Sequence, residues 1–124
     1  MNQMSGIAHD ISGDDLRALR IDLAAAFRIC AQMNWHESVG NHFSAAVSAD
    51  GKKFLMNRKW QHFGSVKASD LLLLDASDSS VMQTADAPDA SAWAIHGTIH
   101  RMRPDVRVVI HAHTPYATAL ATLK

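Results

Sequence analysis

Apolar residues recur at three- and four-residue steps in the first quarter of the chain. Such residues share one face of a helix, because about 3.6 residues complete one turn; they are Leu16, Leu19, Leu23, Phe27 and Cys30. Ser12 and Asp15 have the spacing of a capping box, which predicts the first helical turn. The helix is predicted to end between Met33 and Trp35, and residues 1–11 before it are predicted to form a flexible arm.

Short apolar runs replace the helical pattern after Gly40. Residues 43–47 and 54–56 flank Asp50-Gly51, so the sequence predicts a β-hairpin in which this dipeptide supplies the positive φ angles of the turn. The four leucines at 71–74 predict a strand that is buried on both faces.

The last third of the chain alternates between helical and strand patterns. A second helix is predicted from Pro88-Asp89 to about Met102, with Pro104 stopping it. Residues 106–111 are rich in β-branched side chains and predict a core strand, and residues 115–123 predict a third helix. The sequence stops within that helix without a capping residue, which favours the interpretation of a truncated domain.

Composition narrows the class of protein. At 124 residues, with 48% hydrophobic and 19% charged residues, the chain is predicted to form one globular domain. Twelve basic and twelve acidic residues cancel, so no long-range field favours nucleic acid or an anionic membrane. The local basic group of Lys52, Lys53, Arg58 and Lys59 is predicted to form a solvated surface.

Cys30 is the only cysteine, so an internal disulfide is excluded and a reducing compartment is indicated. Its place in the apolar helical pattern predicts a buried, inert thiol. No apolar run reaches the length of a membrane span, and residues 1–10 lack the layout of a signal peptide. The sequence therefore predicts a cytoplasmic protein that binds neither nucleic acid nor membrane.

Histidine is the residue type that stands out, with eight in the chain. His111 and His113 lie at the end of the predicted strand, where side chains at i and i+2 share a face and two imidazoles can bind one metal ion. Eight histidines placed at random give about 0.5 such pairs, so the spacing alone is weak evidence. One hydrogen-bonded and one solvated strand-end histidine is the alternative interpretation.

His96 and His100 lie four apart on the second predicted helix. This is the zincin spacing, but Gly97 stands where the catalytic glutamate is required, so metalloprotease chemistry is excluded. Histidines that are hydrogen-bonded to backbone or packed at an interface are the favoured interpretation. The pair is expected to lie along one side of the helix, away from His111 and His113.

The segment from Gly40 to Ser44 crosses from a loop into a strand. Gly40 allows close approach of a ligand to the backbone, while Asn41 and Ser44 can form hydrogen bonds to a phosphate, hydroxyl or carboxylate. A turn that simply caps the strand explains the same residues equally well.

Five short motifs follow one another along the chain. They are Gly40-Asn41-x-x-Ser44, Phe54-Leu55-Met56-Asn57, Ala68-Ser69-Asp70-Leu71, His96-x-x-Ile99-His100-x-x-Arg103-Pro104-Asp105-Val106, and Val109-Ile110-His111-Ala112-His113-Thr114. In this order they resemble the class II aldolase/adducin family, and its adducin-like branch most closely. The match covers about residues 14–124, and Arg-Pro-Asp followed by a strand ending in His-x-His-Thr is its most specific part.

The resemblance implies a three-layer α/β/α sandwich around a mostly antiparallel sheet, with residues 12–124 forming the N-terminal portion of the domain. It also implies a divalent metal, zinc, bound by His111 and His113, and a sugar-phosphate-like substrate bound near Gly40, Asn41 and Ser44. The implied activity is that of a zinc-dependent aldehyde-lyase, by aldol cleavage, or of an epimerase.

Two departures from the family pattern change this expectation. The family's third histidine ligand would lie beyond Lys124, and Ala92 stands where the acidic residue that transfers the proton is expected. The metal site is therefore predicted to be partial, and no catalytic residue is assigned. A non-catalytic adducin-like interaction module with a cytoskeletal partner is the alternative. Uncovered sheet edges in a truncated domain would favour a homo-oligomer.

Overall fold

A four-stranded antiparallel sheet with strand order β3-β2-β1-β4 forms the middle of the computed structural model, which describes residues 9–37 and 39–124. The strands are β1 (His42–Ala46), β2 (Lys53–Met56), β3 (Leu72–Asp75) and β4 (Val108–His111). The helices are α1 (Gly13–Gln32), α2 (Ala90–Met102) and α3 (Pro115–Ala121). Short 3₁₀ turns at Phe63–Ser65, Ala68–Asp70 and Ser79–Gln83 complete the connections.

The alternation of side chains along β1 and β2 builds two cores, one on each face of the sheet. The first core lies between the sheet and α1, where Phe43, Ala45 and Leu55 pack with Phe27 of that helix. The second core lies on the opposite face and contains Ala46, Phe54, Met56, Leu74 and Ala92, the last of these from α2. Helices therefore cover both faces, and the predicted α/β/α class is confirmed.

The first core centres on three phenylalanine rings that are fully buried. Phe27 stacks on Phe43 with ring centroids 4.7 Å apart, and it meets the edge of Phe63 at 4.6 Å. Cys30 lies in the same core, as predicted, and burial raises the pKa of its thiol. The long helical pattern of the sequence thus predicted both the helix and the face that it buries.

The predicted hairpin forms, but its turn is wider than predicted. Ala46 pairs with Phe54, and the loop between the strands runs from residue 47 to residue 52. Within the loop only Gly51 has a positive φ, at 76°, and a side chain there would also collide with the carbonyl oxygen of His100. Asp50 instead accepts hydrogen bonds from Ser48 and from the backbone of Lys52.

Two strand predictions and one cap prediction were wrong in detail. The strand at 72–75 lies at one edge of the sheet, and Leu73 is 48% exposed rather than buried. β4 lies at the other edge and leaves Ile110 60% exposed, because it pairs with β1 on one side only among the described residues. Ser12 occupies the N-cap of α1, but its side chain makes no capping hydrogen bond.

The beginning of the chain meets the hairpin loop. Asp10 accepts a hydrogen bond from the backbone N–H of Ala49, and the N–H of Ile11 donates to the carbonyl of Val47. Residues 1–8 of the predicted arm lie outside the described residues. Across the described part of the chain, every helix is too short or too polar to cross a membrane.

We predict that Phe27→Ala costs about 3–5 kcal/mol of unfolding free energy, since it empties a fully buried ring site between two other rings. Urea denaturation followed by circular dichroism measures the change. Ile29→Ala on the same helix is the matched control, because Ile29 is 53% exposed, and it is expected to change stability by less than about 0.5 kcal/mol. Equal losses for the two variants would contradict this description of the core.

Candidate metal and ligand-binding site

The end of β4 brings two imidazoles together. The Nε2 atoms of His111 and His113 lie 3.1 Å apart. Two nitrogens that bind one tetrahedral zinc ion at 2.0–2.1 Å are separated by about 3.3 Å. The spacing of the two rings therefore fits two ligands of one small cation, and it also fits a direct hydrogen bond between two neutral imidazoles.

Glu37, in the loop that follows α1, holds one of these rings from behind. The Nδ1 of His113 donates a hydrogen bond to the Glu37 carboxylate. A proton fixed on Nδ1 leaves the Nε2 lone pair free, and this carboxylate–histidine arrangement is the one that orients metal-binding histidines in proteins. Within residues 9–37 and 39–124, no cluster of three or more His, Cys, Asp or Glu side chains is spaced to hold a metal ion.

His42 connects this pair to the interior. It is the cross-strand partner of His111, and the two rings stack with centroids 4.6 Å apart and planes 23° from parallel. In-plane lone pairs of stacked rings point along neighbouring, not converging, directions. His42 therefore packs against His111 and does not complete a third ligand position.

A chain of buried hydrogen bonds runs inward from His42. Its Nδ1 lies 2.7 Å from Nε2 of His96, whose Nδ1 lies 2.5 Å from Oγ of Ser44. The same Oγ lies 2.7 Å from Nε2 of His100, and Nδ1 of His100 lies 3.2 Å from the carbonyl oxygen of Val106. His96 and His100 are thus hydrogen-bonded core residues, as the favoured interpretation of their spacing predicted. They were expected to lie away from His111 and His113, but His42 alone separates His96 from His111.

Burial keeps these imidazoles neutral. The pKa of His96 is lowered to about 3, mainly by desolvation and then by the neighbouring His42. Desolvation likewise lowers the pKa of His100 and of His42. A charged imidazole at His96 or His100 would lose its hydration without gaining a carboxylate partner, whereas the Asp89 carboxylate partly opposes the lowering of the pKa of His42.

Ser44 lies inside this chain of hydrogen bonds. It is fully buried and does not line the neighbouring cavity, whereas Gly40 and Asn41 do. Asn41 is only 2% exposed; its Oδ1 accepts from the backbone N–H of Glu37, and its Nδ2 has no partner among the described residues. A buried amide donor without a partner is costly, and a ligand acceptor in the cavity would satisfy it.

The cavity has a volume of about 290 Å³ and lies between the start of β1, the loop after β2 and the start of α2. Besides Gly40, Asn41 and His42, its wall is formed by Val39, Asn57, Arg58, Lys59, Trp60, Asp89, Ser91 and Ala92. Arg58 and Lys59 were predicted to form a solvated surface; Arg58 is exposed and Lys59 is half-buried, and both also line this cavity. Their local charge was the only signal in the sequence, and it could not specify what they face.

Trp60 also lies at the mouth and was not assigned a role by the sequence. Its backbone has a φ of 62°, in the left-handed region that side chains other than glycine rarely adopt. The Nζ of Lys59 lies 4.7 Å from the centroid of its ring. The conformation of this turn thus places one cationic and one aromatic side chain at the opening.

Position 92 offers no proton donor. Ala92 is 1% exposed and packs in the second core where it meets the cavity. Asp89 nearby is the N-cap of α2, and its carboxylate accepts from the Ser91 hydroxyl and from the N–H groups of Ser91 and Ala92. The Ser91 hydroxyl is the largest cause that lowers the pKa of Asp89, so this carboxylate is committed to the ionised form.

A second histidine pair lies elsewhere, at His36 and His62, with Nε2 atoms 2.9 Å apart. The N–H of Gly64 donates to Nδ1 of His62, so the proton of a neutral His62 is on Nε2. This N–H donates to Nε2 of His36, and a protonated nitrogen cannot bind a metal. The pair therefore serves as a matched control for His111 and His113.

We predict that acid destabilises the protein through its buried histidines. Below about pH 6.5 His96 becomes protonated in the unfolded chain but stays neutral in the folded protein, so the free energy of unfolding decreases as pH falls. With a folded pKa of about 3 for His96, the loss from this residue reaches about 2 kcal/mol at pH 5. Urea denaturation between pH 7.5 and 5, with a chelator present, measures the decline.

The same titration with His96→Asn should show a smaller decline from its own starting stability, whereas His9→Asn, at an exposed position, should keep the full decline. A free energy of unfolding that does not change over this pH range would show that His96 is not held neutral.

Comparison with known proteins places this geometry in a family. The model of the class II aldolase and adducin N-terminal domain matches residues 21–124. An adducin-related protein of Schizosaccharomyces pombe is 34% identical over 123 residues, which are 94% of this chain and 37% of that protein.

Solved structures show the same fold. An aldolase II superfamily protein from Pseudomonas syringae superposes with a TM-score of 0.77 at 30% identity, over 91% of this chain and 45% of that one. An L-fuculose 1-phosphate aldolase from Glaciozyma antarctica superposes with a TM-score of 0.72 at 24% identity, over 86% of this chain and 44% of that one. The chain thus spans less than half the length of these relatives, and it belongs to the class II aldolase/adducin family.

Proposed function

We propose that this chain binds a divalent cation, zinc, through His111 and His113, and a small sugar-phosphate-like ligand in the cavity that His42, the stacking partner of His111, lines. The observation that carries the proposal is the pair of Nε2 atoms 3.1 Å apart, with the Glu37 carboxylate fixing the ring of His113 from behind. Imidazole nitrogens with a carboxylate in the second layer are the donor set that zinc prefers in proteins.

The cavity supports the second half of the proposal. Asn41 contributes a buried amide donor without a partner among the described residues, and the wall carries the cations Arg58 and Lys59 against one carboxylate, that of Asp89. Nη1 of Arg58 also lies 3.5 Å from the carboxylate of exposed Asp86. Guanidinium, ammonium and amide N–H groups together favour an anionic oxygen ligand such as a phosphate ester. Gly40 also lies in the wall of the cavity.

A bound divalent cation in such a site would polarise a carbonyl group or spread the charge of an enediolate. The residues of this chain would bind and orient the ligand, but position 92 supplies no group that moves a proton. We therefore propose ligand and metal binding as the function of this chain, with aldol cleavage or epimerisation of a sugar phosphate as the ancestral activity.

A non-catalytic adducin-like role is the second candidate. Ala92 in the place of an acid supports it, as does the 34% identity to an adducin-related protein. In this case the functional surface would be a protein contact, with a second copy of the chain or a cytoskeletal protein as partner. Zinc binding through His111 and His113 would support the first candidate, because the second does not require either residue to bind an ion.

We predict weak zinc binding, with one ion per chain, by calorimetric titration at pH 7.5. Glu37→Ala should lower the zinc affinity by about tenfold, the lower end of what a second-layer partner contributes. His111→Ala and His113→Ala should lower it further, because each removes one of the two ligands. His62→Ala, at the other histidine pair, should leave the affinity unchanged.

Loss of zinc affinity in His62→Ala, or its survival in the double variant of His111 and His113, would place the metal elsewhere.

We predict no detectable retro-aldol turnover of sugar phosphates by this chain with zinc in excess. A positioned general acid or base contributes about 10²–10⁴-fold to such a reaction, and position 92 has none. Ala92→Glu alone should not restore activity, because the described residues provide only two imidazole ligands. Zinc-dependent turnover by the unmodified chain that His111→Ala abolishes would contradict the prediction and establish an enzyme.

A further inference from the structure

The buried hydrogen-bond chain between Val106 and His42 has a direction, and its inner end fixes it. A carbonyl oxygen only accepts, so Nδ1 of His100 must carry a proton and donate to Val106. Both ring nitrogens of His100 are engaged, and burial lowers its pKa, so the ring is neutral. Its Nε2 is therefore an acceptor.

Ser44 passes this direction outward, because a hydroxyl has a single proton. That proton is donated to Nε2 of His100, so Oγ of Ser44 must accept from Nδ1 of His96. Neutral His96 then has a bare Nε2, which accepts from Nδ1 of His42. Each residue in the chain thus determines the tautomer of the next.

On the side of the cavity, the chain of hydrogen bonds ends at the ring of His42, and the ring nitrogen that it does not use is Nε2. With the proton of this neutral ring on Nδ1, Nε2 carries a free lone pair. His42 is 6% exposed and lines the cavity, and this nitrogen has no hydrogen-bond partner among the described residues and is not sealed from solvent. A ligand in the cavity that His42 lines is the group that could reach this lone pair.

The neighbouring residue presents the complementary group. Oδ1 of Asn41 is engaged by the N–H of Glu37, so its Nδ2 is the end that offers protons, and it too lacks a partner among the described residues. The cavity wall thus offers one donor and one acceptor from adjacent residues. A ligand hydroxyl pairs with both, because its oxygen accepts one of the two Nδ2 protons and its own proton is donated to Nε2 of His42. The other Nδ2 proton remains for an oxygen of the phosphate ester.

We propose that His42 determines specificity by accepting, at Nε2, a hydrogen bond from a hydroxyl group of the ligand in the cavity. The buried chain through His96, Ser44 and His100 acts as a positioning device that holds His42 in the required tautomer. The ligand half of this proposal rests on the proposed sugar-phosphate binding, while the tautomer half depends on the fold alone.

Nitrogen NMR of the histidine-labelled chain, without ligand, tests the tautomer half. The neutral rings of His42, His96 and His100 are expected to carry their protons on Nδ1. Ser44→Ala should release this order and shift the signals of His42, 2 residues away in sequence and joined to Ser44 through His96. A proton on Nε2 of His42 in the unmodified protein would overturn the proposal.

Calorimetric titration with two phosphate esters tests the ligand half. Dihydroxyacetone phosphate has a free hydroxyl that hydroxyacetone phosphate lacks. The unmodified chain is expected to bind the first about 2- to 10-fold more tightly, the range for one neutral hydrogen bond. His42→Phe keeps a ring of similar shape without the acceptor and should abolish this preference, while Ser44→Ala should reduce it and His9→Phe should leave it unchanged.

The outcomes separate the two proposals. Equal affinity of the two esters for the unmodified chain would overturn the role of His42 and leave sugar-phosphate binding intact. A preference that persists in His42→Phe would also overturn it. Failure of both esters to bind would reject the proposed ligand class, and with it the ligand role of His42, while the NMR result still decides the direction of the buried chain.

Discussion

Strand β1 lies between two strands and two layers of helix, so all five of its residues are buried. On one face this burial places Phe43 against the rings of the first core. On the other face the strand carries His42 and Ser44, and the fully buried hydroxyl of Ser44 must find its partners inside the protein because water does not reach it. The histidines of α2 meet this requirement, which explains why a core-facing helix carries two imidazoles.

The need to pair buried polar groups also shapes the ligand site, because His42 is both the last residue of the buried chain of hydrogen bonds and part of the cavity wall. Its ring stacks on His111, so the proposed metal pair rests against a side chain that the interior holds in place. Rigid support of this kind matters for a site of two weak ligands, since disorder of either imidazole would lower its affinity further. Glu37 gives the same support to His113 and also holds Asn41 through its backbone N–H.

Family membership and chemistry separate at position 92. The chain has the fold of the class II aldolase/adducin family, but the buried methyl group of Ala92 stands where the resemblance implies an acidic residue. Asp89 does not replace it, because three donors of the first turn of α2 hold its carboxylate ionised. We therefore propose binding without turnover, which an adducin-like role would also accommodate.

The sequence by itself determined the features that depend on near neighbours: the apolar face of α1, the hairpin, the Asp89 cap of α2, and the shared face of His111 and His113. Periodicity and turn chemistry act over a few residues, so a linear pattern records them. Tertiary structure alone decided that β3 and β4 are edge strands, since a run of apolar residues does not specify how many strands will pair with it. It also decided the partners of Ser44, which lie 52 and 56 residues away, and the contact of Glu37 with His113, 76 residues away. Hydrogen bonds between distant residues follow from how the layers pack, and no local pattern encodes that packing.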